Sequence, residues 1–152
     1  MKTQLMNETF SLLEQESSPI ANITFDIEQK ELLQLEGLLQ RHNLSDHRKL
    51  HLSSLYTVLS LAFSRHQHCH EDDQELTRKV LDGDYLYSLY VQLAIQFEEM
   101  ELLKQLAPFV KRWQIRRAAN EPIVETLFDA FERFLELEYS IQQRQAKMGQ
   151  VS

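Results

Sequence analysis

The chain has 152 residues, of which 43% are hydrophobic, three are glycine and three are proline, and it therefore predicts one compact domain with a sizeable core. Its formal net charge of −7 argues against nucleic acid as a partner and against a polybasic membrane anchor, because both depend on cationic side chains. A single cysteine, Cys69, excludes an internal disulfide, and we expect a soluble cytoplasmic protein because neither a secretory signal nor an apolar run of about 20 residues is seen.

Apolar residues recur at helical spacing along the whole chain, and no segment reads as a convincing strand. This pattern predicts an all-α fold, a single-domain bundle of about six helices over residues 1–152, with a polar tail from about residue 146 that is left open to disorder. The predicted helices run from about Lys2 to Gln15, from Asp26 to Arg41, from Ser45 or Asp46 to the polar break "SRHQHCHEDD", from Asp73 to Phe97, from Glu99 to Arg117, and from a cap at Asn120 onward.

The fourth predicted helix is apolar nearly all round. From Val80 to Phe97 it has almost no polar face, and such a helix must be buried on every side. A chain of this size can enclose few helices fully, so part of this helix is predicted to meet another protein. The alternative is that it forms the central helix of a monomeric bundle. The helix also carries three tyrosines, amphipathic aromatics of the kind enriched at interfaces: Tyr85, Tyr87 and Tyr90.

Gly83 lies in the middle of this apolar helix, where glycine costs roughly 1 kcal/mol relative to alanine. A glycine at such a position calls for a reason of packing or of function. We expect that the absent side chain lets a neighbouring helix approach closely. Ser88 and Ala94 add further small surface in the later turns of the same helix.

The segment "VLDGDYLYSLYVQLA", preceded by "ELTRK", resembles a stretch of the trans-polyprenyl diphosphate synthases that reads Val-Leu-x-Gly-Asp-Tyr-Leu-x-Ser. It resembles most of all the small subunit, component I, of the two-component heptaprenyl and hexaprenyl enzymes. Elsewhere the similarity rests on length, helix order and acidity. The resemblance implies a truncated relative of the trans-prenyl synthase fold, whose fourth helix binds the catalytic large subunit. The partner-binding residues expected on this basis are Gly83, Asp84, Tyr85, Tyr87, Ser88, Tyr90 and Val91.

The same resemblance implies a subunit without catalytic residues of its own. Catalytic relatives use two aspartate-rich motifs to hold Mg²⁺ against the leaving diphosphate. The nearest motif here, "EDDQEL", has Asp72 and Asp73 but Leu76 where a third aspartate is needed, and no second motif follows. The implied function is regulatory, supporting product chain length for the menaquinone side chain. We expect no cofactor on this chain and Mg²⁺ on the catalytic partner, with a homodimer as an option when the chain is alone.

Other interpretations of the sequence stay open. The chain could be a helical adaptor for an unrelated protein partner. His66, His70 and Asp73 would share one face of a helix and are ligand types that suit a transition metal, as in a small metal-binding bundle. The basic residues of "KRWQIRR" suit either the negative end of a helix dipole or a diphosphate or acidic partner.

Overall fold

The computed structural model describes residues 2–67 and 74–151, and of residue 151 it describes only the backbone. In this part of the chain all regular structure is α-helical, which confirms the all-α prediction. The described helices are α1 (Gln4–Glu16), α2 (Gln29–Arg41), α3 (Asp46–Gln67), α4 (Leu76–Gln96), α5 (Met100–Ala118) and α6 (Leu127–Val151). The predicted start of the fourth helix at Asp73 lies outside the described residues. The relation to the trans-prenyl synthase fold stays a prediction.

The chain forms two compact units, Met1–Met100 and Glu101–Ser152. The first contains α1 to α4, and the second contains α6 and all but the first residue of α5. The prediction of a single domain stays a prediction. In the second unit α6 continues to Val151, so the polar tail predicted from about residue 146 is helical and solvent-exposed up to residue 150.

The central helix of the first unit is α3. It packs against α1, α2 and α4, and eleven of its residues between positions 52 and 63 are buried. The sequence pattern does not predict this burial, because hydroxyl-bearing residues interrupt the apolar run. Ser54 and Thr57 donate hydrogen bonds to the carbonyl oxygens of Leu50 and Ser53, each at 2.8 Å, so their polar groups are satisfied within the helix. The enclosed helix is therefore α3, whereas α4 leaves part of its surface exposed.

Side-chain hydrogen bonds fix α2 against its neighbours. The Tyr56 hydroxyl on α3 donates to Glu31 Oε1 on α2 at 2.8 Å. Thr3, the N-cap of α1, donates from its hydroxyl to Glu36 Oε2 at 2.9 Å. Each bond contributes about 1 kcal/mol net, and together they select one register of the helices.

The boundary between α5 and α6 differs from the prediction that Asn120 caps the last helix. Asn120 instead follows α5 with a φ of 56°, and the next residue donates its backbone N–H to the Arg116 carbonyl at 2.8 Å, as at many helix C-termini. α6 begins at Leu127 because two residues cap each other. The Asp129 backbone N–H donates to Thr126 Oγ1 at 3.1 Å, and the Thr126 N–H donates to Asp129 Oδ2 at 3.4 Å.

An ion pair and a ring stack join the start of α3 to the end of α4. The Arg48 guanidinium donates to both oxygens of the buried Glu99 carboxylate, at 2.9 and 3.2 Å. The His51 ring stacks on the Phe97 ring, with 3.8 Å between centroids and 2° between planes. The centroid of the His47 ring lies 4.1 Å from that of His51. These contacts hold the two helix ends together.

This cluster makes stability depend on pH. Burial and the neighbouring His47 lower the pKa of His51 below its ordinary value of 6.5, against the opposing effect of Glu99. The unfolded chain therefore binds a proton at His51 more readily than the folded one, so the free energy of unfolding should fall as pH drops below about 6.5. In His51→Phe, which retains a ring over Phe97, this decline should be shallower. Urea titrations between about pH 7 and pH 5 measure the free energy of unfolding of both proteins. If it changes equally with pH in the parent and in His51→Phe, the expectation is contradicted.

Candidate partner-binding surface

α4 has a buried side and an exposed side. The buried side comprises Gly83, Leu86, Leu89, Tyr90, Leu93 and Ala94. The opposite side, which we call the α4 face, consists of exposed or half-buried residues that recur at three- and four-residue spacing. Its members are Val80, Leu81, Asp84, Tyr87, Ser88, Val91 and Ile95, and the exposed polar residues Thr77 and Gln92 lie on the same side.

The α4 face is mostly apolar although it is open to solvent. Leu81 and Ile95 are 59% and 56% exposed, and Val80 is exposed as well. Apolar side chains that recur along one side of a helix indicate an interaction surface more strongly than scattered ones do. The polar members, Asp84 and Ser88, lie among these residues and provide hydrogen-bonding groups. The face therefore suits a partner that offers an apolar groove or a second helix.

Gly83 leaves room for a side chain of the neighbouring helix. A Cβ added at Gly83 would lie 2.4 Å from both Cδ2 and Nε2 of His66, near the end of α3. Nε2 of the same ring lies 3.0 Å from Asp84 Oδ1. The close approach expected at this glycine is thus made by an imidazole ring. This contact connects the last turns of α3 to α4, and the sequence pattern had suggested a metal ligand at His66 instead.

A double-mutant cycle tests this reason for the glycine. Gly83→Ala should lower the free energy of unfolding by about 1–2 kcal/mol, because the His66 ring must leave its place and lose Asp84. In a His66→Ala background the ring is gone, so the same change should raise stability by up to about 1 kcal/mol through better helix propensity. Urea unfolding of the parent, of the two single variants and of the double variant measures these free energies. A change of the same sign in both backgrounds would refute the steric explanation.

The three tyrosines predicted as partner anchors have three different environments. Tyr85 accepts a hydrogen bond from the Ser18 backbone N–H at 2.7 Å and thereby holds the connection between α1 and α2. Tyr90 is 1% exposed and belongs to the chain's own core, so its side chain offers little surface to a partner. Tyr87 is half-buried on the α4 face, with its ring centroid 5.8 Å from that of Tyr90. Of the three, Tyr87 is the one placed to contact a partner.

The flank of α4 beside Tyr85 is occupied by the α1–α2 connection. Arg78 donates from Nη2 to the carbonyl oxygens of Ala21 and Asn22, at 3.1 and 3.3 Å. Its Nε donates to Asp82 Oδ1 at 3.0 Å, which orients the guanidinium. This flank is covered by the chain itself, and it bounds the α4 face on one side.

The metal alternative rests on residues that the structure describes only in part. His66 faces Asp84, whereas His70 and Asp73 lie outside the described residues, as does Asp72 of the incomplete aspartate motif. Within residues 2–67 and 74–150 there is no group of three or more His, Cys, Asp or Glu side chains that could hold a metal ion.

The second unit contains a groove of about 440 Å³ lined partly by arginines of the "KRWQIRR" segment. Arg112 donates to Glu125 Oε2 at 3.0 Å, and Arg133 contacts the other oxygen of the same carboxylate. Arg116 donates to the Pro122 carbonyl at 3.3 Å. Because two of the guanidinium groups already pair with Glu125, the groove offers an anion less positive charge than its composition suggests.

Comparison with protein-family models, with curated proteins and with solved structures gives no match to this chain. Among the described residues, no helix has both the length and the apolar character needed to cross a membrane. Sequence reasoning missed Val80, Leu81 and Ile95 as members of the α4 face. The three- and four-residue spacing from Leu81 to Ile95 does not distinguish them, because the buried side of α4 has the same spacing.

Proposed function

We propose that this chain is the non-catalytic subunit of a two-component trans-polyprenyl diphosphate synthase of the hexaprenyl or heptaprenyl class, and that it binds the catalytic large subunit through the α4 face. One observation carries the proposal. The segment that resembles component I subunits coincides with the helix that exposes apolar side chains at recurring positions along one side.

The residues of this segment divide between internal packing and the exposed surface. Gly83 accommodates His66, and Tyr85 holds the α1–α2 connection. Leu81, Asp84 and Ser88 are exposed. A segment of this kind can keep α4 in position while presenting one side of it to another protein.

The binding energy would come mainly from the apolar members of the α4 face. Removing a side chain such as that of Leu81 or Ile95 from water contributes about 1.5–3 kcal/mol when its burial is complete. Tyr87 adds a large aromatic surface of the type that most often carries interface energy. The Asp84 carboxylate, oriented by His66, would accept a hydrogen bond within the contact.

In this proposal the chain acts on prenyl chemistry only through its partner. Mg²⁺ and the aspartate-rich motifs belong to the catalytic subunit, and the present chain would favour the partner's conformation that extends the isoprenoid to the length used in a menaquinone side chain. Binding to one conformation shifts the partner's population by the difference in affinity between its states.

Mixing experiments with the catalytic subunit of the same organism test the proposal. Light scattering after size exclusion should show a stoichiometric complex, and only the mixture should make long polyprenyl diphosphates from isopentenyl and farnesyl diphosphates with Mg²⁺. The chain alone should give no product, because its aspartate motif is incomplete. Turnover by the pure chain that is lost in Asp72→Ala, or the absence of a complex, would refute the proposal.

A second candidate function, a helical adaptor for an unrelated protein, draws on the same surface. The α4 face is apolar and carries no charge pattern that identifies one class of partner. An adaptor would bind through Leu81 and Tyr87 to a protein without aspartate-rich motifs and would leave the prenyl synthase unbound. The mixing experiment therefore separates the two functions.

A further inference from the structure

No other described part of the chain covers the second half of α6. From Tyr139 to Gln150 every residue is exposed to solvent. A free helix of this length is marginal in water, so an exposed extension of this kind is typical of a segment that gains a partner. The same stretch contains large apolar side chains, including Met148, which is 73% exposed.

Three exposed apolar side chains of α6 lie along one line of the helix. Leu137, Ile141 and Met148, which we call the α6 stripe, follow Phe134 at intervals of three, four and seven residues. This spacing matches the seven-residue repeat of helices that pair with other helices, except that Arg144 lies at the position between Ile141 and Met148. Ile141, at 42% exposure, lies at the centre of the line.

A shallow groove runs beside the α6 stripe. It has a volume of about 250 Å³ and lies between the first turns of α5 and the middle of α6. Phe134, Leu137 and Ile141 form its apolar wall, with Glu101 and Gln105 on the other side. An unbranched, polarisable side chain such as methionine fits an irregular apolar groove beside an aromatic ring.

From residue 136 onward the charges of α6 are segregated by sign. Glu136 and Glu138 come first, and Arg144 and Lys147 follow. Two such helices in antiparallel orientation bring the acidic half of each against the basic half of the other, whereas a parallel arrangement brings like charges together. The helix is thus complementary to a reversed copy of itself.

We propose that α6 binds α6 of a second copy of this chain in an antiparallel pair that is symmetric about Ile141. In this register Ile141 meets its own counterpart, and Met148 of each chain faces Phe134 and the groove of the other. Glu138 of each chain lies opposite Arg144 of the other, so the pair has two such contacts. A contact of this twofold kind needs only one self-complementary surface. It uses different residues from the α4 face and is independent of the proposed function.

Sedimentation equilibrium of the full chain tests the association. The parent should form a reversible dimer, and Ile141→Glu, which places two carboxylates at the symmetry centre, should raise the dissociation constant about tenfold or more. Tyr139→Glu is the matched control, because it puts the same charge on the opposite side of α6 and should leave the dimer intact. Glu138→Arg should weaken the dimer, and adding Arg144→Glu should restore it. Circular dichroism confirms that each variant stays helical.

Cysteine cross-linking tests the antiparallel register in a Cys69→Ser background. Ile141→Cys should form a disulfide rapidly with its counterpart, whereas Met148→Cys should do so slowly, because the two copies of that residue lie about 20 Å apart along the pair. A chain that stays monomeric at about 100 μM, at which any dimer with a micromolar dissociation constant would form, overturns the proposal. The proposal is also overturned if Ile141→Glu leaves the dimer intact, or if adding Arg144→Glu to Glu138→Arg does not restore the dimer. Equal rates of cross-linking at positions 141 and 148 would overturn it as well.

Discussion

Replacement of Tyr90 by alanine should lower the free energy of unfolding by about 3–5 kcal/mol, because it removes a fully buried ring from the core of the first unit. Tyr90→Phe should instead raise the free energy of unfolding. Among the described residues the Tyr90 hydroxyl has no hydrogen-bond partner, and burial together with Tyr87 raises its pKa above the ordinary value. Removing a buried, unpaired hydroxyl should therefore raise stability by about 1 kcal/mol.

Urea unfolding followed by circular dichroism measures both changes. Tyr139→Ala and Tyr139→Phe serve as matched controls at an exposed tyrosine and should lie within about 0.5 kcal/mol of the parent. If Tyr90→Ala were as stable as the parent, the ring would not belong to the core. If Tyr90→Phe lost about 1 kcal/mol or more, the hydroxyl would have to make a hydrogen bond in solution.

Replacement of Tyr87 by alanine should weaken binding to the catalytic large subunit by about 2 kcal/mol, close to thirtyfold in the dissociation constant. Tyr87 is the tyrosine on the α4 face, and a few aromatic side chains usually carry most of an interface's energy. Leu81→Glu should have a similar effect, because it places a charge where the partner must exclude water. Since Leu81 is largely exposed, this second variant should leave the stability of the isolated chain almost unchanged.

Titration calorimetry against the catalytic subunit gives both affinities, with circular dichroism to confirm folding. Tyr139→Ala is the matched control, because it removes an exposed tyrosine outside the α4 face and should bind like the parent. If Tyr87→Ala and Leu81→Glu both fold and both bind with unchanged affinity, the interface lies on another part of the chain.

The helical class and the order of the helices follow from the sequence because apolar periodicity and scarce glycine are local properties. The cap of α3, predicted at Ser45 or Asp46, is also a local feature, and Ser45 accepts a hydrogen bond from the Arg48 backbone N–H at 3.2 Å. Asn120 was misassigned because asparagine suits both a helix start and the left-handed residue after a helix end. Thr126 and Asp129, which cap α6, carried the better signal.

The orientation of α4 about its own axis could not be predicted. Because its apolar residues occur on all sides, the sequence alone treats Tyr85, Tyr87 and Tyr90 alike. Packing against α3 decides which of them is buried, and that contact joins residues far apart in the chain. For the same reason the sequence indicated that Gly83 has a packing role but not that His66 fills the space beside it.

Hydrogen–deuterium exchange of this chain, alone and with the catalytic large subunit, tests the α4 face most directly. Binding there should slow exchange in peptides that cover α4, between about residues 77 and 96, because a partner that buries this side of the helix suppresses its local opening. Peptides from the buried part of α3 should change little. A complex that leaves exchange in α4 unaltered and slows it elsewhere would contradict the proposed interface.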